Sequence, residues 1–194
     1  MEPQDSQDSQ NGAAIAREEI RQFIVPDTVR EYWNASGKTK ATSDDLARIE
    51  AAIGARLAQP YVDFVTEFGC IVFRSGVEGM HCMFDYTVQF DDRKETRESD
   101  IAFIRNPDGL IKAWGIATQE EEDEGLPQFP AHYLPVGNDS GQGAILLELG
   151  EHAGRVWYWE EKADAWGTGD NAEPLGFVAE DFYEFINGLR PPPY

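Results

Sequence analysis

Apolar side chains recur along this chain at two spacings, helical before residue 70 and mostly extended after it. From Ala13 to Asn34, Ile15, Ile20, Phe23 and Ile24 supply the apolar positions of a first helical region. Pro26 interrupts it, and Thr28 with Glu31 has capping-box spacing for a restart. A polar stretch, Ala35 to Ala41, follows. Thr42 then stands where a helix N-cap belongs, with Asp44 and Asp45 in the first turn, where the helix dipole favours negative charge. Leu46, Ile49 and Ile53 share one face, and Gly54 ends the helix. Pro60 suits the first turn of the next one, in which Tyr61, Phe64, Val65 and Phe68 make a single apolar stripe before Gly69. Residues 42–69 thus predict a helical hairpin.

From Cys70 the texture becomes extended. Cys70 to Phe73 and Cys82 to Phe90 read as strands joined by a Gly76/Gly79 loop, and Asp91 to Asp100 as a charged loop. Asn106-Pro107-Asp108-Gly109 is a strong turn signal inside an ambiguous stretch, Ile101 to Ile116. Tyr133–Val136, Ala144–Leu149 and Arg155–Glu160 alternate as three strands of a meander with glycine-rich turns. A last helix opens near Ala179 and repeats the stripe with Phe182, Phe185, Ile186 and Leu189. Helices, then strands, then a closing helix predict an α+β fold with a mixed, largely antiparallel sheet flanked by helices. The expected organisation is a disordered leader over 1–11, a helical extension over 12–41, a single domain over 42–190 and a proline-rich tail over 191–194.

Charge narrows the function. With 16 Lys and Arg against 36 Asp and Glu among 194 residues, the net charge is −20. That excludes a phosphate-gripping nucleic-acid binder and docking on anionic lipid. It leaves two readings, simple solubility or a surface shaped for a basic protein partner. The acidic loops Asp91-Asp92 and Glu120-Glu121-Glu122-Asp123-Glu124 are the contact candidates on the second reading. Trp157 and Trp159 share one sheet face and join them if that face is exposed; if it is covered, they are core. The N-terminus carries no basic-then-apolar signal, no run is long enough to span a membrane, and two cysteines, Cys70 and Cys82, make no disulfide scaffold. A cytoplasmic protein with buried thiols is expected.

Candidate chemistry is thin. His81-Cys82 and Asp139-Ser140-Gly141 are superficially similar to segments around the His and Ser of trypsin-like proteases, but Asn138 to Gly143 is what a strand-to-strand turn wants. His132 and His152 are isolated from any zinc-ligand spacing, and no phosphate-binding glycine loop follows a strand. No metal and no cofactor is expected, and no catalytic group.

The succession His132-Tyr133-Leu134-Pro135-Val136-Gly137-Asn138-Asp139, then Gly143 to Glu148, then Gly154 to Trp159, then Val178 to Ile186 resembles the SUKH superfamily of Smi/Knr-type domains. Ile49 to Phe68 is similar to that family's helix, proline-containing break and aromatic helix, so the resemblance spans about Thr42 to Leu189. It implies a non-catalytic domain. Many bacterial members are immunity proteins that bind a cognate toxin, often a nuclease, from polymorphic toxin systems; others are regulatory or scaffold modules with an endogenous partner. A basic toxin would complement this chain's charge.

Overall fold

The computed structural model describes residues 25–34, 39–76, 79–119 and 126–193. The leader, the apolar positions Ile15 to Ile24 and the acids Glu120 to Glu124 lie outside the described residues. Helix α1 (Asp27–Arg30) is one turn following Pro26, without a side-chain cap. Val25, Val29 and Tyr32 around it are buried in the main core.

The hairpin forms as the sequence predicts. In α2 (Ser43–Ile53) Thr42 and Asp45 make a reciprocal capping box, and Gly54 closes the helix at φ 67°. The Thr42 backbone N–H, then the Arg48 guanidinium, hold the Asp45 carboxyl down at about 2. Helix α3 (Gln59–Glu67) has Pro60 in its first turn and buries Tyr61, Phe64 and Val65.

Two segments correct the sequence reading. Asn106-Pro107-Asp108-Gly109 is not a free turn but the start of α4 (Pro107–Ala117), where the Asn106 side chain accepts a 2.8 Å bond from Gly109 N–H. The same residue types serve turns and N-caps. The charged segment after Asp92 is strand β2 (Lys94–Ile101), antiparallel to β1 (Cys82–Gln89) from Gln89 opposite Lys94 to Cys82 opposite Ile101. Its polar residues fit because β2 ends the sheet order, and Lys94, Thr96 and Glu98 face water. Of Cys70 to Phe73, only Val72 and Phe73 pair, through single bridges to Phe103 and Trp33.

The remaining strands are β3 (Phe103–Ile104), β4 (Tyr133–Asn138), β5 (Ala144–Glu148), β6 (Val156–Trp159) and β7 (Gly176–Ala179), and helix α5 (Phe182–Gly188) comes last. The segment at Ala179 is therefore the end of β7, and α5 starts at Phe182 with Asp181 as its cap. Among the described residues the sheet has seven strands in the order β2-β1-β7-β6-β5-β4-β3, and its ladders are antiparallel. Pro135 sits in β4 beside a register shift, the place a sheet tolerates a missing N–H.

Strands β2 and β3 stand at opposite ends of the sheet order, yet Ala102 alone separates them. The sheet must therefore curl until its ends meet. Ala102 N–H bonds Asn138 O of β4 at 2.8 Å, and the Asp100 carboxylate of β2 holds the Ser140 turn beyond β4. Inside the curl, Phe84, Ile101, Leu134, Ile145, Val156 and Tyr158 pack with Phe64 of α3 and Phe182, Phe185 and Ile186 of α5. A smaller cluster on the other face holds Phe129, Leu146, Trp159 and Leu175.

Candidate partner-binding surface

Alternation along β6 sends Val156 and Tyr158 into the curl and Trp157 and Trp159 to the outer face. The two tryptophans then diverge. Trp159 is 6% exposed, lies edge-on to Phe129 and donates its indole N–H to Asn171 Oδ1 at 2.9 Å. Asn171 in turn donates to the carbonyls of Gln128 and Asp164, so this one indole ties two surface loops over the sheet. Trp159 is core.

Trp157 stays half-buried. Its ring meets Phe177 edge-on at 5.3 Å and Tyr133 at 6.4 Å, and Tyr133 stacks obliquely on His132. The indole N–H donates to Glu148 Oε2 at 2.8 Å. Burial, and secondarily the Glu148 charge, push the Tyr133 hydroxyl pKa up. The outer face of β4, β6 and β7 thus presents half-buried aromatics beside a carboxylate that fixes the central ring. Rings held rigid in this way cost little conformational entropy when a partner covers them.

Of the acidic candidates, the described pair lies elsewhere. Asp91 and Asp92 are exposed at the β1–β2 turn. Arg93 lies over the Phe90 ring at 4.1 Å and pairs with Asp92 at 3.4 Å and Glu95 at 2.7 Å, so part of that charge is already neutralised.

The protease-like residues do come together, but in an order that cannot relay a proton. The Ser140 hydroxyl donates to Asp100 Oδ1 at 3.0 Å, and His81 Nδ1 lies 3.1 Å from Asp100 Oδ2. The carboxylate stands between serine and histidine, whereas a nucleophilic serine must give its proton to the imidazole. Asp100 also accepts from the backbone N–H groups of His81 and Ser140. Burial opposes its ionisation most strongly, but these donors together outweigh it and its pKa is lowered. The cluster is a clamp across the curl of the sheet. Cys82 beside it is buried, and that burial pushes its thiol up to about 12; Cys70 is half-buried. Among the described residues, no group of three or more His, Cys, Asp or Glu side chains is placed to hold a metal ion.

Between α4 and the outer face of β4 and β5 lies a groove of about 170 Å3, walled by Ala113, Ile116, Phe129, Pro135 and Trp159, with Arg105 and Asn138 among its polar members. Nothing in the sequence singles out Arg105. Its context is set by α4, which the turn-like Asn106 to Gly109 concealed.

A family model, the SMI1 / KNR4 family (SUKH-1), matches residues 40–188. The chain belongs to this family. Comparison with curated proteins and with solved structures gives no match. The SUKH-1 span takes in the helical hairpin, the whole curled sheet, α4 and α5, so the aromatic face, the Asp100 clamp and the groove all lie inside it. Val25, Val29 and Tyr32 precede the span and still belong to this SUKH-1 core. No helix among the described residues is long and apolar enough to cross a membrane.

Proposed function

We propose that this SUKH-1 domain is a non-catalytic, cytoplasmic immunity protein that neutralises a cognate toxin by stoichiometric binding, the toxin being a basic protein such as a nuclease. Family membership supports a protein-binding domain. The observation that carries the reading further is Trp157, held half-exposed among Tyr133 and Phe177 by Glu148 on a chain of net charge −20. Interfaces concentrate their energy in such fixed aromatic anchors, while surrounding charge steers the encounter. A nuclease must carry a basic cleft to hold phosphate, so an acidic inhibitor meets it both fast and selectively. The Ser140 hydroxyl, turned to Asp100 rather than to His81, supports the absence of nucleophilic catalysis at the protease-like residues.

The test co-expresses this chain with the C-terminal domain of the protein encoded immediately upstream of its gene. Growth should be restored, and the two purified chains should elute as a complex of fixed stoichiometry. Growth arrest despite abundant folded protein, or purification with a housekeeping partner alone, would replace immunity by a regulatory scaffold role.

A further inference from the structure

Arg105 is half-buried without an acidic partner in an acidic chain; Arg30 and Arg74, which also form no ion pair among the described residues, are exposed. Arg48, Arg56, Arg93, Arg97, Arg155 and Arg190 each ion-pair with Asp or Glu. Arg105 has no acidic partner among the described residues, although the chain holds 36 acids. Its guanidinium lies over the Phe103 ring at 5.3 Å and gives one Nη2 bond to Asn138 Oδ1. Its Nε is buried without an acceptor among the described residues. Burial lowers its pKa, with no neighbouring carboxylate to oppose the shift. A half-buried cation with unused donors is costly, and a site that keeps one is ready for an anion.

The groove beside it has apolar walls, Ala113, Ile116, Phe129 and Trp159, with polar groups at their edge. Its volume, about 170 Å3, suits a body the size of one aromatic ring. Among the described residues Glu161 is the only acid in its lining, and it makes no ion pair with Arg105. The side-chain amides of Gln128 and Gln142 also line it and can serve a peptide group. An apolar slot, a lone arginine fork and peptide-pairing amides meet in one place. We propose that this groove captures the carboxyl-terminal residue of a partner polypeptide, its apolar side chain between α4 and the sheet and its carboxylate on Arg105. The inference rests on the domain's role as a protein binder.

Isothermal titration of the full chain uses three probes: acetyl-Gly-Gly-Phe with a free carboxylate, the same peptide as its C-terminal amide, and 3-phenylpropanoate. The free acid should bind at least tenfold more tightly than the amide, and more tightly than 3-phenylpropanoate. Arg105→Gln should erase the preference for acid over amide. Ala113→Phe, which fills the slot, should weaken both peptides. Circular dichroism checks each fold; if Arg105→Gln does not fold, the wild-type contrast and Ala113→Phe still decide. Equal binding of acid and amide, or no saturable binding, overturns the proposal. So does 3-phenylpropanoate binding as tightly as the peptide, which would give the groove to a small carboxylic acid. Growth rescue without this discrimination sinks the groove alone; discrimination without rescue sinks the immunity reading alone.

Discussion

The Tyr158 hydroxyl donates a 2.7 Å hydrogen bond to Asp139 Oδ2, joining the middle of β6 to the turn between β4 and β5. The other oxygen of Asp139 accepts from Gly143 N–H at 2.8 Å. A Cβ at Gly143 would strike both the Tyr158 hydroxyl and the Asp139 carboxylate, so glycine is required there by close approach rather than by backbone angle. Tyr158→Phe should cost about 2 kcal/mol, the range of a hydrogen bond to a charged acceptor. Gly143→Ala should cost at least as much, because side chain and turn must both move. Urea denaturation checks both through a lowered midpoint at unchanged slope.

Asp100 predicts an acid limit to stability. Its folded pKa lies below the ordinary 3.8, so its contribution is fully present above the unfolded value and is lost as pH falls through the folded one. Asp100→Asn, which puts an amide donor among four donors, should destabilise by about 3 kcal/mol near neutrality. The gap between wild type and variant should narrow below about pH 4, the unfolded carboxylate range. A gap constant from pH 7 to pH 2.5 would show that the charge of Asp100 is not what holds the Ser140 turn.

The two tryptophans should separate binding from folding. Trp159→Ala removes a buried ring and the anchor for Asn171, and should lose about 3–5 kcal/mol of stability. Trp157→Ala should cost about 1–2 kcal/mol, since its surface is already partly wet. In surface plasmon resonance with the cognate toxin, Trp157→Ala should raise Kd at least tenfold through faster dissociation. An unchanged Kd would move the interface off the β4–β6–β7 face.

Charge should act on association instead. Reversing Asp91 and Asp92 to Lys, or Glu120 to Glu124 to Lys, should slow association with a basic partner, and more at 20 mM than at 300 mM salt. Dissociation should change little. Stopped-flow mixing at the two salt concentrations checks it, and rates insensitive to both reversals would place the encounter surface elsewhere on the molecule.

The helical hairpin was legible because its signals are local. Thr42, Asp45, Gly54 and Pro60 state where helices start and stop within a few residues of themselves, and the stripe from Tyr61 to Phe68 states which face is apolar. The meander was legible for the same reason, through alternation and glycine turns. Strand β2 was not, because Lys94 to Asp100 has the composition of a loop, and only pairing with β1 makes it a strand. Helix α4 was hidden because Asn-Pro-Asp-Gly opens a helix or a turn equally well, and the packing of Leu110 and Ala117 against the sheet decides between them.

On the surface, period-two alternation put Trp157 and Trp159 on one face, but cover by the Asn171 loop, a contact between distant segments, made one core and left the other half-open. Sequence by itself therefore determined the elements with local caps and strict periodicity, the family and the sign of the charge. Tertiary structure alone decided the curl that brings Asp100 to Ser140, the burial of Trp159 and the position of Arg105 without an ion pair among the described residues. These depend on which residues far apart in the chain become neighbours in space, and no local pattern encodes that.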